Sequence, residues 1–319
     1  MTDARCLIYT APGQTELRSV PKLLEGAAGE LVELRARWSG ISRGTERLVY
    51  KGAIPAGEHQ RMRAPFQRGA FPFPVGYGYA WVGEDGDGRR YFGLFPHQDL
   101  IAAPREALCA LPDGLDDRRA VLAANMETAL NIAWDAGAGP ADRIAVVGGG
   151  VLGLLVAGIL SDVPGTEVTV VDVAESRSAI AEALGARFAS PENAPEDVDI
   201  AIHTSASEAG LATCLSICGV EATVVEASWF GTLEPKLPLG GAFHSKRLTL
   251  RSSQVGMVSP GRRPRWSYNR RLSAALKLLR NDKYDMLITR EVAFSDLPAR
   301  IADILAPQSD GLATAVSYL

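Results

Sequence analysis

The stretch 144–160 places the strongest constraint on how this chain can fold. It is uncharged and nearly all apolar, and it contains five glycines. It is slightly short for a membrane-spanning helix, and glycines destabilise the interior turns of a helix. A buried strand over 144–147, a glycine turn and a buried helix over 151–160 account for it better. This arrangement predicts the opening of a βαβ unit.

The glycine turn has the pattern of a dinucleotide site, because residues 148–153 read GGGVLG. In the G-x-G-x-x-G pattern, the first glycine permits a tight turn and the second lets the backbone approach a pyrophosphate. The third allows the helix to pack closely on the strand. The start of the helix adds free N–H groups and a positive dipole. We therefore predict cofactor-binding residues at Gly148, Gly150, Val151, Leu152 and Gly153.

An acidic residue follows at the spacing that such sites need. Asp172 ends the strand-like run 168–171, about 20 residues beyond Gly153. A carboxylate there accepts hydrogen bonds from the adenosine ribose and repels a 2′-phosphate, which favours NAD over NADP. Arg177 lies close behind and softens that preference, and both residues are predicted to contact the cofactor. A turn that binds a flavin or S-adenosylmethionine is the alternative.

The chain divides into three parts by its sequence pattern. Residues 1–119 alternate apolar and polar positions, as over 32–38, and are predicted to be β-rich, with an aperiodic loop at 52–74. Strand and helix patterns alternate over 120–258, which predicts an α/β fold class with a Rossmann doubly wound parallel sheet. Residues 259–319 are predicted to return to the first domain.

Composition excludes several classes of protein. The chain of 319 residues has a formal net charge of −4 and no long basic run, so we expect no nucleic-acid partner. Its four cysteines are scattered without a CxxC pair, which suits a reducing cytoplasm. The start of the sequence has no signal-peptide core, and we expect a cytoplasmic protein with no membrane partner.

Three further segments resemble the medium-chain dehydrogenase/reductase superfamily, the relatives of zinc alcohol dehydrogenase. They read GIS at 40–42, PVGYG at 74–78 and AANMETA at 123–129. The resemblance is collinear over nearly the whole chain. It implies a GroES-like catalytic domain in 1–119 and a nicotinamide cofactor that Thr128 and Thr204 help to bind. It also implies a homodimer formed through the edge strand near 248–253.

The residues that hold the catalytic zinc in that superfamily are replaced in this chain. The positions usually filled by cysteine, histidine and a cysteine or acid hold Ser42, Tyr77 and Ala124. None of these is a good ligand for Zn²⁺, and the four-cysteine structural zinc lobe is absent from the sequence. We therefore predict that the protein works without zinc.

One octapeptide narrows the resemblance. Residues 39–46 read SGISRGTE and look closest to the bacteriochlorophyllide dehydrogenase branch, whose enzymes oxidise a hydroxyethyl group on a chlorin ring with NAD. Because the likeness depends mainly on these eight residues, it indicates a branch and does not assign a substrate.

Without a metal, protein hydroxyls or imidazoles must stabilise the charge that hydride transfer creates on oxygen. The resemblance places Ser42, Thr45 and Tyr77 near the vacated metal position and Glu127 next to it, and we predict these four as catalytic residues. As a base, Tyr77 would need a pKa lowered from about 10. Each has a structural alternative: capping for Ser42 and Thr45, aromatic packing for Tyr77, and ion pairing for Glu127.

Other polar residues carry weaker signals. The loop 52–74 mixes arginines with phenylalanines, which suits an anionic small-molecule substrate with an apolar body; solvated arginines are the alternative. His97 is expected in a surface loop. His203 ends a Rossmann strand, where its ring is expected to line the cofactor cleft.

The leading hypothesis is a zinc-independent, NAD-preferring oxidoreductase that transfers a hydride between nicotinamide and a small or mid-sized alcohol or carbonyl substrate. Two alternatives stay open. One is a quinone or enoyl reductase that uses NADPH, and the other is a non-catalytic NAD(H)-binding sensor or partner subunit.

Overall fold

The computed structural model describes residues 3–319. Met1 and Thr2, which open the predicted domain 1–119, lie outside the described residues. The chain forms two compact units. Unit 1 contains the described residues up to Ala124 together with Leu272–Leu319, and unit 2 contains Asn125–Arg271.

The helices are α1 (Arg43–Lys51), α2 (Asp117–Ala120), α3 (Ala123–Ala136), α4 (Val151–Leu160), α5 (Ser178–Ala183), α6 (Glu208–Ile217), α7 (Tyr268–Leu278) and α8 (Leu297–Leu305). The strands are β1 (Asp3–Ala11), β2 (Gln14–Pro21), β3 (Leu31–Ile41), β4 (Arg68–Gly69), β5 (Val75–Gly76), β6 (Trp81–Glu84), β7 (Arg90–Gly93), β8 (Leu100–Pro104), β9 (Cys109–Ala110), β10 (Arg143–Val147), β11 (Glu167–Val171), β12 (Arg187–Ala189), β13 (Val198–His203), β14 (Cys218–Glu226), β15 (Thr249–Ser252), β16 (Ile288–Ala293) and β17 (Ala313–Ser317). Short 3₁₀ segments lie at Ala56–Glu58, Arg105–Ala107, Glu175–Arg177, Pro191–Asn193, Asp282–Leu287 and Phe294–Asp296, and a π-turn lies at Leu239–Phe243.

Unit 2 is built on a six-stranded parallel sheet in the order β12-β11-β10-β13-β14-β15. Counted from β10 as the first strand, the order is 3-2-1-4-5-6, which is the doubly wound order of dinucleotide-binding folds. The central strands β10 and β13 are mostly buried apolar runs, as a sheet covered on both faces requires. The predicted α/β fold class is confirmed. Its switch point, where ligands bind in such sheets, lies at the carboxyl ends of β10 and β13.

Unit 1 contains two mostly antiparallel sheets. One has four strands in the order β2-β1-β5-β4, and the other has seven, in the order β16-β17-β3-β6-β7-β9 with β8 paired to β3. The alternation predicted over 32–38 is present in β3, where Val32, Leu34 and Ala36 are buried and pack in one cluster with Trp81. Because β17 pairs antiparallel with β3, the last strand of the chain completes this sheet.

Individual residues in the sequence determine where several helices begin or end. Gly185 follows α5 with a φ of +88°, the left-handed conformation of a helix cap that its position predicts. The sequence pattern over 118–134 predicts one helix, but the structure has two there. Asp116 caps the first by accepting a hydrogen bond from the Arg119 N–H at 3.0 Å. In the described part of the chain, every helix is too short or too polar to cross a membrane.

Candidate functional site: a nucleotide cradle and a hydroxyl cluster

The glycine turn between β10 and α4 forms one wall of a cavity in unit 2. The cavity has a volume of about 400 Å³ and lies at the carboxyl edge of the parallel sheet. The ends of β10, β11 and β13 and the start of α6 supply its lining. That lining includes Gly148, Gly150, Asp172, Thr204, Ser205 and Ser207. The sheet therefore brings together residues that are far apart in the sequence.

Each glycine of the turn meets a different steric demand. Gly148 has a φ of +118°, and a Cβ there would lie 2.7 Å from the backbone nitrogen of Ser205. A Cβ on Gly153 would lie 1.9 Å from the carbonyl oxygen of Gly148. A Cβ on Gly150 would meet no heavy atom within 4 Å, so the space before α4 is open. The structure thus offers the tight turn, close helix packing and free backbone approach that a pyrophosphate needs.

Asp172 holds the turn as well as lining the cavity. Its Oδ2 accepts a hydrogen bond from the Gly149 N–H at 2.5 Å, and its Oδ1 accepts one from the Ala174 N–H at 2.7 Å. The stem of Arg177 covers the same turn, because a Cβ on Gly149 would lie 3.1 Å from its Cγ. The Asp172 carboxylate and the stem of Arg177 therefore lie beside one turn.

Of the remaining predicted cofactor-binding residues, one lines the cavity and three do not. Thr204 lines the cavity, and its hydroxyl donates to the carbonyl oxygen of Gly148 at 2.9 Å, which ties β13 to the turn. Val151 and Leu152 are half-buried in the first turn of α4, and Thr128 is half-buried on α3. Among the described residues, the cavity lining does not include these three.

Glu127, a predicted catalytic residue, belongs to a buried ion pair inside unit 2. Its Oε1 accepts a hydrogen bond from Nε of Arg271 at 3.0 Å. Arg271 also donates to Asn131 Oδ1 at 2.6 Å and to the carbonyl oxygen of Val255 at 2.6 Å. Burial raises the pKa of Glu127, and the nearby guanidinium opposes that shift. The contacts of Glu127 match the structural alternative of an ion pair. Through Arg271, they also anchor the segment after β15 to α3.

Unit 1 places two of the predicted catalytic hydroxyls together, with a third group that the sequence reasoning missed. Ser42 precedes α1, and Thr45 lies in its first turn. The phenol of Tyr79 is hydrogen-bonded to Ser42 Oγ and lies 3.2 Å from Thr45 Oγ1. Since the phenol has one proton, at least one of the two hydroxyls must donate to it. The available signal was spacing, because residues two apart in extended backbone share a face and Tyr79 follows Tyr77 by two.

Tyr77 has a different role in the same region. It is buried, and its hydroxyl donates to the carbonyl oxygen of Met62 at 3.5 Å, while its ring packs edge-on against Tyr79 with centroids 5.9 Å apart. Burial raises the pKa of Tyr77 well above its ordinary value, which is opposite to the lowering that a basic role requires. Burial also raises the pKa of Tyr79, although its bonds to Ser42 and Thr45 act in the opposite direction. Both side chains are therefore protonated phenols at neutral pH.

A buried polar network fixes the start of α1. Glu46 Oε1 accepts a hydrogen bond from the Ser42 N–H at 2.7 Å, and its Oε2 accepts one from the Tyr9 hydroxyl at 2.8 Å. His97 Nε2 lies 3.1 Å from the same Oε2, and His97 Nδ1 lies 2.7 Å from Ser39 Oγ. The expectation of a surface-loop histidine is wrong, because His97 is only 1% exposed and completes this network.

The loop arginines are placed in different ways: Arg61 is exposed and pairs with Glu58, as the solvated alternative expects, whereas Arg63 and Arg68 donate hydrogen bonds within unit 1. Arg68 is buried and donates to Gln98 Oε1 at 2.6 Å and to the carbonyl oxygen of Leu23 at 3.0 Å. Arg63 donates to the carbonyl oxygens of Gly69 and Gln67 at 2.7 and 2.8 Å. Because backbone carbonyls occupy these guanidinium groups, their main role in the structure is to hold the loop together.

The side chains at the three zinc-ligand positions do not form a donor set for zinc. They are the hydroxyl of Ser42, the protonated phenol of Tyr77 and the methyl group of Ala124, whereas Zn²⁺ is bound by thiolates, imidazoles and carboxylates. Over residues 3–319, no group of three or more histidine, cysteine, aspartate or glutamate side chains is arranged to hold a metal ion. The residues therefore do not fit the zinc that the resemblance to alcohol dehydrogenases implies.

Comparisons with known proteins support the resemblance. The chain is 28% identical over 139 residues to the Escherichia coli K12 zinc-type alcohol dehydrogenase-like protein YdjJ; the match covers 44% of this chain and 39% of YdjJ. No protein-family model matches the chain.

Solved dehydrogenase structures match the fold over almost the full length. The 2R,3R-butanediol dehydrogenase of Bacillus subtilis has a TM-score of 0.78 at 17% identity, over 99% of this chain and all of that one. A zinc-binding dehydrogenase of Sinorhizobium meliloti 1021, solved with NADP, gives 0.79 at 16% identity over 99% of this chain and 100% of its own. A protein of Escherichia coli CFT073 described as a short chain alcohol dehydrogenase, solved with NADH, gives a TM-score of 0.77 at 16% identity over 100% of both chains. This chain therefore shares the fold of these dehydrogenase structures.

The steric difference between two glycines gives a testable prediction. Gly153→Ala forces a Cβ to within 1.9 Å of a backbone carbonyl, so the turn must move and the protein should unfold at lower urea concentration and lose NADH binding. Gly150→Ala adds a methyl group to open space, so it should leave the urea midpoint near that of the wild type while weakening NADH binding. Equal urea midpoints for Gly153→Ala and Gly150→Ala would contradict the close packing of α4 on the turn.

Proposed function

We propose that the protein is an NAD(H)-preferring oxidoreductase that transfers a hydride between nicotinamide and an alcohol or carbonyl substrate without zinc. The observation that carries the proposal is the cavity at the glycine turn. There an open backbone approach at Gly150, the start of α4 and the Asp172 carboxylate lie together at the switch point of the sheet. Neighbours of the same fold that were solved with NADP and NADH support a nicotinamide cofactor.

The preference for NAD depends on Asp172. A carboxylate at the end of β11 binds ribose hydroxyls and repels a 2′-phosphate, whereas Arg177 beside it attracts one. The repulsion acts directly, because Asp172 lines the cavity, while the stem of Arg177 lies over Gly149.

Titration with NADH and NADPH, followed by nicotinamide fluorescence, tests this preference. The wild type should bind NADH more tightly, by about tenfold or more if one charge repulsion of roughly 1.4 kcal/mol decides it. Asp172→Asn keeps one acceptor oxygen for the turn but removes the charge, so it should bring the two affinities close together. A wild type that prefers NADPH would contradict the proposal, and binding of neither cofactor would remove the dehydrogenase assignment.

The hydroxyl cluster of unit 1 supplies the proton chemistry in this proposal. When bound, nicotinamide supplies or accepts the hydride. In the direction of carbonyl reduction, the protonated Tyr79 donates its proton to the oxygen that gains negative charge. Ser42 and Thr45 then donate hydrogen bonds to the phenolate that Tyr79 becomes, which lowers the energy of that state. In the direction of alcohol oxidation the same proton returns to Tyr79.

Removal of one phenol tests this role. On any alcohol or carbonyl from a screening panel that the enzyme turns over, Tyr79→Phe should lower kcat by about 100-fold or more, as loss of a general acid does. Tyr91→Phe is the matched control. Tyr91 lies on β7, and its hydroxyl contacts Asp85 Oδ2 at 3.2 Å and not the Ser42 and Thr45 hydroxyls. A larger loss of kcat in Tyr77→Phe than in Tyr79→Phe would reassign the proton to Tyr77.

Two other functions fit parts of the structure. A quinone or enoyl reductase would need no metal, and product analysis with matched alcohol and enone substrates distinguishes it from an alcohol dehydrogenase. A cofactor-binding sensor or partner subunit would also lack metal ligands, and tight NADH binding without turnover of any panel substrate would favour it. The resemblance of residues 39–46 makes a chlorin with a hydroxyethyl group a substrate to include in the panel.

We also propose that two copies pair through β15. This strand is at the edge of the unit 2 sheet and all four of its residues are exposed, with Leu250 at 39%. An edge strand presents unpaired N–H and C=O groups to a second chain. Sedimentation should therefore show a dimer that Leu250→Lys dissociates, whereas Leu239→Lys, at a 45% exposed site outside β15, should leave it intact. A monomeric wild type would contradict the pairing.

A further inference from the structure

A second polar group lies behind the cavity of unit 2, at the carboxyl ends of β13 and β14. His203 is fully buried, with its Nε2 2.6 Å from Ser205 Oγ and its Nδ1 2.7 Å from Glu226 Oε2. Ser228 fixes the other carboxylate oxygen, because its N–H donates to Glu226 Oε1 at 2.6 Å. Serine, imidazole and carboxylate thus form one continuous chain of hydrogen bonds.

Ser205 connects this chain to the cavity. It is exposed, lines the cavity and lies 2.9 Å from the hydroxyl of Ser207. Asp172 lines the same cavity. A nucleotide whose ribose is held by Asp172 therefore has its adenosine half in the space that Ser205 and Ser207 face. The imidazole itself has no exposed surface, so it can act on a ligand through Ser205 and through its charge.

One charged side chain, the Glu226 carboxylate, contacts the imidazole ring of His203 in the described part of the chain. The groups around it are the Ser205 and Ser228 hydroxyls, the Phe230 ring stacked at 5.8 Å, the backbone of α6 at Gly210, and the Glu226 carboxylate from β14. Cys214 on α6 also interacts with Glu226, but burial raises its pKa well above the ordinary value, so it stays a neutral thiol. Across the described residues, Glu226 is thus the charged group in direct contact with the ring.

We propose that His203, Glu226 and Ser205 form a protonation-sensitive subsite for the adenosine half of the dinucleotide. The inference rests on the proposed function, because it takes the cavity to bind a nicotinamide dinucleotide. In this subsite Ser205 touches the cofactor, while His203 and Glu226 act as positioning residues that set the direction of its hydroxyl proton.

The protonation state of His203 determines whether Ser205 can donate a hydrogen bond into the cavity. When His203 is neutral with its proton on Nδ1, that N–H donates to Glu226, and the Ser205 O–H donates to Nε2. The Ser205 oxygen then offers only lone pairs to the cavity. When His203 is protonated on both nitrogens, Nε2–H donates to Ser205, and the Ser205 O–H can then donate to Ser207 Oγ or to an oxygen or ring nitrogen of the nucleotide. The imidazolium also adds a positive charge near an anionic ligand.

These two hydrogen-bond arrangements predict the direction in which NADH affinity changes with pH. The dinucleotide binds the protonated form of His203 better, so affinity for NADH should rise as pH falls and His203 gains a proton. By linkage, binding must take up protons from solution in that range. A purely structural His203 would change stability without coupling cofactor affinity to protons.

The test measures NADH dissociation constants between about pH 6 and pH 8.5 for the wild type and three variants. The wild type should bind about five- to tenfold more tightly at the acidic end, which corresponds to gaining one charge-assisted hydrogen bond. Ser205→Ala and His203→Gln should each remove most of that pH dependence. His244→Gln is the matched control, because His244 is an exposed histidine of the same unit and should leave the pH dependence unchanged.

Calorimetry on the wild type keeps the inference testable even if His203→Gln fails to fold. Titration with NADH in two buffers of different ionisation enthalpy should show proton uptake near neutral pH. Binding of NADH with no proton uptake, or an unchanged pH dependence in Ser205→Ala, would overturn the subsite and leave the cofactor assignment standing. No binding of NADH by the wild type at any pH would instead overturn the proposed function and the subsite with it.

Discussion

The close approach of α4 to the end of β10 is the contact on which the rest of unit 2 depends. The carbonyl oxygen of Gly148 occupies the space where a side chain on Gly153 would begin, and it accepts the Thr204 hydroxyl at 2.9 Å. One carbonyl thus joins the first strand, the first helix and the fourth strand of the sheet. This junction directs the start of α4 and its free N–H groups toward the cavity, and Asp172 holds the turn from the neighbouring strand.

Unit 1 shows how a fold known from zinc enzymes can present a different kind of polar centre. A zinc ion is bound by charged or strongly basic groups such as thiolates and imidazoles, whereas this chain has hydroxyls and phenols there. Each of these groups can donate or accept a hydrogen bond, so its function depends on the orientation of its O–H bond. Glu46 helps to set that orientation. It is buried, and its oxygens accept hydrogen bonds from the Ser42 N–H and the Tyr9 hydroxyl while Oε2 also lies 3.1 Å from His97 Nε2. Ser42 is thereby held at the start of α1, within reach of Tyr79.

Sequence reasoning succeeded where the signal is local. The glycine turn, the strand 144–147 and the cap at Gly185 depend on backbone conformation and on residues close in sequence, so a single chain shows them. It failed where partners are distant, as for His97 and Glu46, which are 51 positions apart. The sequence pattern also predicts a helix over 209–218 and a strand over 222–227, but β14 starts at Cys218, which pairs parallel with Val198. Tyr79 was missed because its partners on α1 meet it only through the folding of unit 1.

The tether between Asp172 and the Gly149 N–H has a consequence for attempts to redesign cofactor use. Both oxygens of the carboxylate already accept backbone hydrogen bonds, so the side chain that discriminates between nucleotides is also a fastener of the loop that receives them. Cofactor specificity and loop architecture are therefore encoded by the same atoms. A variant library that changes position 172 alone changes both properties at once.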